Sequence, residues 1–351
     1  MSRPATRSAG KRVGRVACAL VSLAFASLGC AGHAIDLIDL PASPIVILHR
    51  DSETARRRSE ILQDQKPEHA AVGRGQGVAR MSDVQRLLGK DVKAEFADLG
   101  GRVSYFDPRT EVTTVIDSLP RGAEPLGWSG DRKFLIFRTW RGELPQVQAL
   151  DVAHGTPLSI TPYGVDAVFA TMAADGRVVY TAYQPIPGIG PALRLFVLAP
   201  GASPRPLTAG PVDRSPAFSP DGNIVIFGTM GRDGGEAIAR LDPFADDPAP
   251  RILARGQEAV FTPDGAWIVY SATAGKGHRL WRMRPDGSGK LPIGQGATED
   301  PRETHPAVSP DGRYVVYVDE RDSRFFLRVR RFDGTGDRTL LEDGDGAAPV
   351  W

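Results

Sequence analysis

Six acidic residues recur along the chain at a steady interval: Glu124, Asp166, Asp213, Glu258, Glu303 and Asp345. The first five stand six to nine residues ahead of an aspartate in a turn-like sequence, at Asp131, Asp175, Asp221, Asp264 and Asp311. Arg121, Arg214, Arg302 and His305 fall in the same stretches. Carboxylates gathered to one place by a repeating fold suit a hard cation such as Ca²⁺. Interleaved with arginines, they suit a charged peptide instead. The plain alternative is that these are acid-rich surface loops whose side chains face solvent.

Other chemistries are poorly served. His49, His69, His154 and His278 show no metal spacing, and no His-Glu-x-x-His sequence occurs. His305 directly precedes Pro306 and reads as a rim residue rather than a catalyst. Gly127-Trp128-Ser129-Gly130 is not a nucleophile elbow. Asp286-Gly287-Ser288-Gly289-Lys290 lacks the first glycine of a phosphate loop, and Gly73-Arg74-Gly75-Gln76-Gly77 has no strand before it. Asp343-Gly344-Asp345-Gly346 lacks the remaining ligands of a calcium loop and reads as a turn. Asp319-Glu320-Arg321-Asp322 reads as a solvated loop.

The elements that must position these residues form a repeat. VSPDGRYVVY (308–317) is its cleanest copy, with FSPDGNIVIF (218–227) and FTPDGAWIVY (261–270) close behind. WSGDRKFLIF (128–137) and MAADGRVVYT (172–181) are worn copies. Successive turn aspartates are 44, 46, 43 and 47 residues apart. Ser-Pro-Asp-Gly suits a tight reversal, because proline presets φ, aspartate bonds nearby backbone and glycine accepts positive φ. The apolar run that follows suits a strand buried on both faces. LWRM (280–283) and FLRVR (326–330) read as third strands, KLPI (290–293) and RTLLE (338–342) as fourth strands. Four short strands per period of this size make a β-propeller blade.

The front of the chain is different in kind. Arg3, Arg7, Lys11, Arg12 and Arg15 precede the apolar stretch from Val16 to Leu28, which is too short to span a bilayer as a helix. Residues 1–29 therefore read as an export signal. Ser27-Leu28-Gly29-Cys30 resembles a bacterial lipobox, with Cys30 as the lipidated residue. That reading implies an outer-membrane lipoprotein facing the periplasm. Cleavage after Gly32-His33-Ala34 would give a soluble periplasmic protein instead. Without the five basic residues of 1–29, 38 Lys and Arg face 42 Asp and Glu, a balance of −4. This argues against nucleic acid as a partner. The chain has two cysteines, Cys18 in the signal and Cys30, so no disulfide staples the mature domain.

Residues 30–92 read as an arm. Pro44 to Leu48 suits an added strand, Ser52 to Asp64 has helical composition, and Ser82-Asp83-Val84-Gln85 is a capping box for a short helix. The propeller is expected over 93–351. Ala94 to Leu99, Val103 to Asp107 and Glu111 to Asp117 suit the second, third and fourth strands of a blade with no first strand. Pro349-Val350-Trp351 aligns with Pro216-Ala217-Phe218 and Pro306-Ala307-Val308, which open first strands. The expected fold is thus all-β: six four-stranded blades, closed by pairing the N-terminal strands with the C-terminal one. Closure removes exposed sheet edges.

The Ser-Pro-Asp-Gly units at 219–222 and 309–312, the variant at 262–265 and the blade rhythm resemble the TolB-type propeller family over about 94–351. In that family a six-bladed propeller of the bacterial envelope binds protein partners, including a peptidoglycan-associated lipoprotein. TolB itself carries a full α/β domain before its propeller, and residues 35–92 look too short for one. The resemblance implies a non-catalytic envelope protein that binds a protein or peptide at the mouth of its channel. Arg121, Glu124, Asp166, Asp213, Arg214, Glu258, Arg302, Glu303, His305 and Asp345 would form that mouth, with no cofactor required. The alternative is a metal-dependent envelope enzyme, such as a polysaccharide lyase or hydrolase, using the same mouth.

Overall fold

The computed structural model describes residues 34–50, 53–54, 101–141, 144–186, 190–294, 301–321, 324–342 and 347–351. They form six antiparallel sheets of four strands. The first strand of each sheet touches the first strands of its two neighbours around a full circle, which makes a closed six-bladed propeller. The first strands are Ala347–Val350, Glu124–Trp128, Ala167–Met172, Arg214–Phe218, Gln257–Phe261 and Glu303–Val308, in blades 1 to 6.

Each repeat folds around its turn. In blade 6 the Ser309 hydroxyl donates to Asp311 Oδ1 at 2.6 Å and accepts the Tyr314 N–H at 2.9 Å, while Gly312 takes φ +72°. Thr262, Asp264 and Gly265 repeat this in blade 5. In the worn copy of blade 2, Arg132 occupies the glycine position at φ +59°. Its side chain lies over Trp128 and donates to the carbonyl of Trp351, tying blade 2 to the closing strand. The second strands are the buried heart of each blade: Val225, Ile226 and Phe227, like Val315, Val316 and Tyr317, are 1% exposed or less. Hydrophobic clusters fill the joints between blades, as the two-sided burial of these runs requires.

The closing blade corrects one expectation. Its strand order places Ile45–His49 between Ala347–Val350 and Arg102–Asp107, with Val112–Val115 outermost. Ile45–His49 pairs Val46 with Val350 and Ile47 with Ser104. The second strand is therefore IVILH, read above as an added strand of the arm, and not 94–99. The physical reason lies in the run itself, since Ile45, Val46 and Ile47 are wholly buried like every other second strand. No Ser-Pro-Asp-Gly turn precedes it, so the repeat gives no marker there. Residues 94–99, the two expected arm helices beyond Thr54, the export signal and Cys30 lie outside the described residues.

A strap reinforces the closure. Ile35 and Leu40 are fully buried in one cluster with Trp351, Tyr314, Leu327 and Phe106, which come from blades 1 and 6. The Trp351 indole N–H donates to Ser43, and Arg338 donates to the carbonyl of Ile35.

Candidate functional site

The six first strands enclose a channel with a cavity of about 1180 Å³. One end collects the entrances of these strands; the other collects their apolar ends, among them Trp128, Met172, Phe218, Phe261 and Trp351. The entrance end is charged.

A β-bulge interrupts the first strand of every blade near this entrance. In four blades it holds a non-glycine residue at positive φ: Ser215 (49°), Glu258 (55°), His305 (50°) and Ala348 (47°). Such backbone costs of order 1 kcal/mol or more at each position, and bulges of this kind re-aim side chains. Here they face the channel entrance, since all four residues line the cavity.

Ion pairs ring the entrance. Arg138 holds Glu124 in blade 2, and donates to the Val168 carbonyl of blade 3 at 3.1 Å. Arg214 holds Glu236 within blade 4. Between blades 5 and 6, the His305 backbone N–H donates to Glu258 Oε2 at 2.6 Å, and His305 Nε2 lies 3.2 Å from Oε1. Arg302 lies 3.6 Å from Glu320. Arg138 is buried, whereas Arg302 and His305 are half exposed.

The expected mouth residues divide into groups. Glu124, Arg214, Glu258, Arg302 and His305 line the channel. Asp213 and Glu303 do not: they are 2% and 5% exposed and belong to blade joints. Asp213 accepts the Thr229 hydroxyl at 2.5 Å. Glu303 accepts the Leu280 N–H at 3.0 Å and Arg330 at 2.8 Å. Arg330 also meets Asp337 and the buried Tyr317 hydroxyl. Burial alone would lower the Arg330 pKa, but the hydrogen bond to Glu303 and the surrounding negative charge hold it above its ordinary value. Burial pushes the Tyr317 hydroxyl up, so it stays a neutral donor. Asp166 is partly buried and Arg121 is exposed, and neither lines the channel. Asp345 lies outside the described residues. Among the described residues, no three His, Cys, Asp or Glu side chains come together as metal ligands.

Sequence reasoning missed Arg138, Glu236, Lys276, His278 and Glu320, which also line the channel. Arg138 and Glu320 come from second strands and Glu236, Lys276 and His278 from third strands or the turns before them, so no spacing within the first-strand loops could find them. Asp319-Glu320-Arg321 is strand rather than solvated loop, and Asp319 is buried against Arg321 and Arg328.

The fold and its channel define a six-bladed propeller with a charged mouth and, at the other end, the aromatic side chains Trp128, Phe218, Phe261 and Trp351 beside Arg132 and the turn residues Ser129, Ser219 and Thr262. No family model matches the sequence. The chain is 28% identical over 255 residues to an uncharacterized protein of Agrobacterium fabrum, covering 70% of this chain and 80% of that relative. Among solved structures it is similar to TolB from Acinetobacter baumannii, at 20% identity and a TM-score of 0.59, over 71% of this chain and 62% of TolB. It is also similar to an Agrobacterium tumefaciens protein provisionally designated TolB, at 22% identity and a TM-score of 0.55, over 68% and 88% of the two chains. Hydrazine synthase of Kuenenia stuttgartiensis aligns at 12% identity and a TM-score of 0.60, over 88% of this chain and 46% of that one. The chain thus spans under two thirds of the Acinetobacter TolB. At these identities the likeness is one of fold.

Proposed function

We propose that this chain is a non-catalytic propeller of the bacterial cell envelope that binds a protein or peptide partner across its channel mouth. The observation that carries this reading is the ring of ion pairs from blades 2, 4, 5 and 6 around an open cavity. Paired charges of both signs, two of them (Glu258 and His305) on strained bulges, set apart from apolar side chains at the other end of the channel, suit a polypeptide's mixture of charged and apolar side chains. The likeness of fold to TolB supports the same reading. On this proposal the protein works on the periplasmic side of the envelope, and Cys30, if lipidated, holds it to the outer membrane.

Placing a photocrosslinking residue at His305, and separately at Thr156 on the outer edge of blade 2, tests it in intact envelopes. The mouth position should yield one discrete protein adduct and the edge position none. Equal labelling from both, or adducts from the edge alone, would remove the mouth as the binding face. Cys30→Ser should move the protein from the membrane fraction to the soluble periplasm; unchanged membrane association would remove the lipid anchor.

A further inference from the structure

The strap meets the propeller on one face. First and third strands run away from the channel mouth and second and fourth strands run back towards it. The Ser-Pro-Asp-Gly turns therefore share the far end with the turns between third and fourth strands. That turn end holds the strap. Arg109 donates to the Leu40 carbonyl at 2.6 Å, Tyr314 to that of Asp39 at 3.2 Å, Arg338 to that of Ile35 at 3.2 Å and Arg331 to that of Ala34 at 3.4 Å. Each donor stands in such a turn or within two residues of one.

These contacts bear on how the chain is processed. Cleavage after Ala34 would put an ammonium on Ile35, which is fully buried, and would remove the carbonyl that Arg331 meets. A buried charge without a partner is costly. Cleavage before Cys30 leaves both features intact. Cys30 then stands five residues ahead of Ile35, and a chain of that length reaches no more than about 18 Å even when fully extended. The mouth lies at the other end of second strands of five to nine residues, about 20 Å away.

The turn end is also where apolar side chains are exposed. Of the ten large apolar residues exposed among the described residues, Ile38, Val112, Val152, Phe244, Ile252 and Leu291 lie in the strap, in the turns between third and fourth strands or in the first two residues of a fourth strand. They come from the strap and from blades 1, 2, 4 and 5, so they are spread around the ring rather than gathered at one edge. The turn aspartates share this end and would repel anionic headgroups, so charge does not supply the attraction.

We infer that the turn end is the membrane-facing surface of the propeller, lying against the bilayer with the channel mouth held away from it. The inference rests on the lipid anchor proposed above and adds the orientation that the anchor imposes. The short tether brings the turn end to the lipid surface, and the apolar rim keeps the ring flat on it. The mouth is thereby presented to partners on the side away from the membrane.

The test uses the lipidated full chain in vesicles that carry a nitroxide-headgroup lipid. Asp246→Cys at the turn end and Arg232→Cys at the mouth end are labelled with a fluorophore, one at a time; both lie in blade 4, across the ring from the strap. Lipidation blocks the Cys30 thiol, so only the introduced cysteine reacts. Thermal melts establish that each variant is folded. The dye at 246 should be quenched at least about threefold more than the dye at 232, on neutral and anionic vesicles alike and independently of salt. Equal quenching would mean that the propeller stands on its edge or tumbles, and stronger quenching at 232 would reverse the face. Either would overturn the orientation and leave the anchor standing. A difference seen only on anionic vesicles at low salt would assign the orientation to charge and overturn the inference. Mass spectrometry that finds Ile35 as the first residue, or protein that does not float with the vesicles, would remove the anchor and the inference with it.

Discussion

Glu258 and Glu303 occupy equivalent loops of adjacent blades, yet they do opposite work. Glu258 sits on a strained bulge at the channel mouth and meets His305. Glu303 is buried in the joint between blades 5 and 6, locked to Arg330 and the backbone of Leu280. The difference is one of offset from the turn aspartate. Positions eight residues before it are buried in all five copies: Ala123, Ala167, Asp213 and Glu303 are 0%, 0%, 2% and 5% exposed, and Gly256 is buried as well. Positions six residues before it carry the bulge and line the channel, as Ser215, Glu258 and His305 do. Strand geometry makes an acid a joint bolt or a mouth group according to a step of two residues across a bulge.

Mutations sharpen this contrast. Glu303→Ala should destabilise the propeller by about 3–5 kcal/mol, because it removes one of the two carboxylates that hold a buried arginine and strands the Leu280 N–H. Denaturant unfolding would measure this, and a loss below about 1 kcal/mol would erase the distinction from the mouth. Asp213→Ala should cost less, about 1–3 kcal/mol, since it strands the Thr229 hydroxyl rather than a full charge. Glu258→Ala should change stability by less than about 1 kcal/mol, its partner being half exposed, while altering partner binding.

The smallest effect is on acid tolerance and lies on the opposite rim. The Thr262 hydroxyl, then the Ala266 N–H, hold the Asp264 carboxyl below its ordinary range; Ser219 and Asn223 do the same for Asp221. A depressed native pKa means that the stabilisation is complete above the unfolded value of about 4 and fades as pH falls through the lower native value. Stability should therefore drop below about pH 4, and Asp264→Asn should flatten that drop. An unchanged slope would mean that the turn is held by its backbone bonds alone.

Much of the fold was legible because its repeats carry local chemistry. Ser309, Asp311 and Gly312 are each required by the turn they make, and the apolar run after them is required by burial on two faces. Closure was legible from Pro349-Val350-Trp351 because that stretch copies the opening of other first strands. The second strand of the same blade was not, because Ile45–His49 lacks the turn that marks its equivalents. For the site, the loops were found but not the direction of their side chains. Glu124 and Glu258 reach the channel, and Asp213 and Glu303 turn into joints.

By itself the amino-acid sequence determined the blade, the number of blades and the manner of closure, since turns and buried strands are written in neighbouring residues. Only the tertiary structure decided which charges face the channel. That choice depends on bulges and on Arg138, Glu236, Lys276 and Glu320, which other strands or other blades bring to the mouth. Pairing between residues far apart along the chain has no local signature, because it is a property of the closed ring.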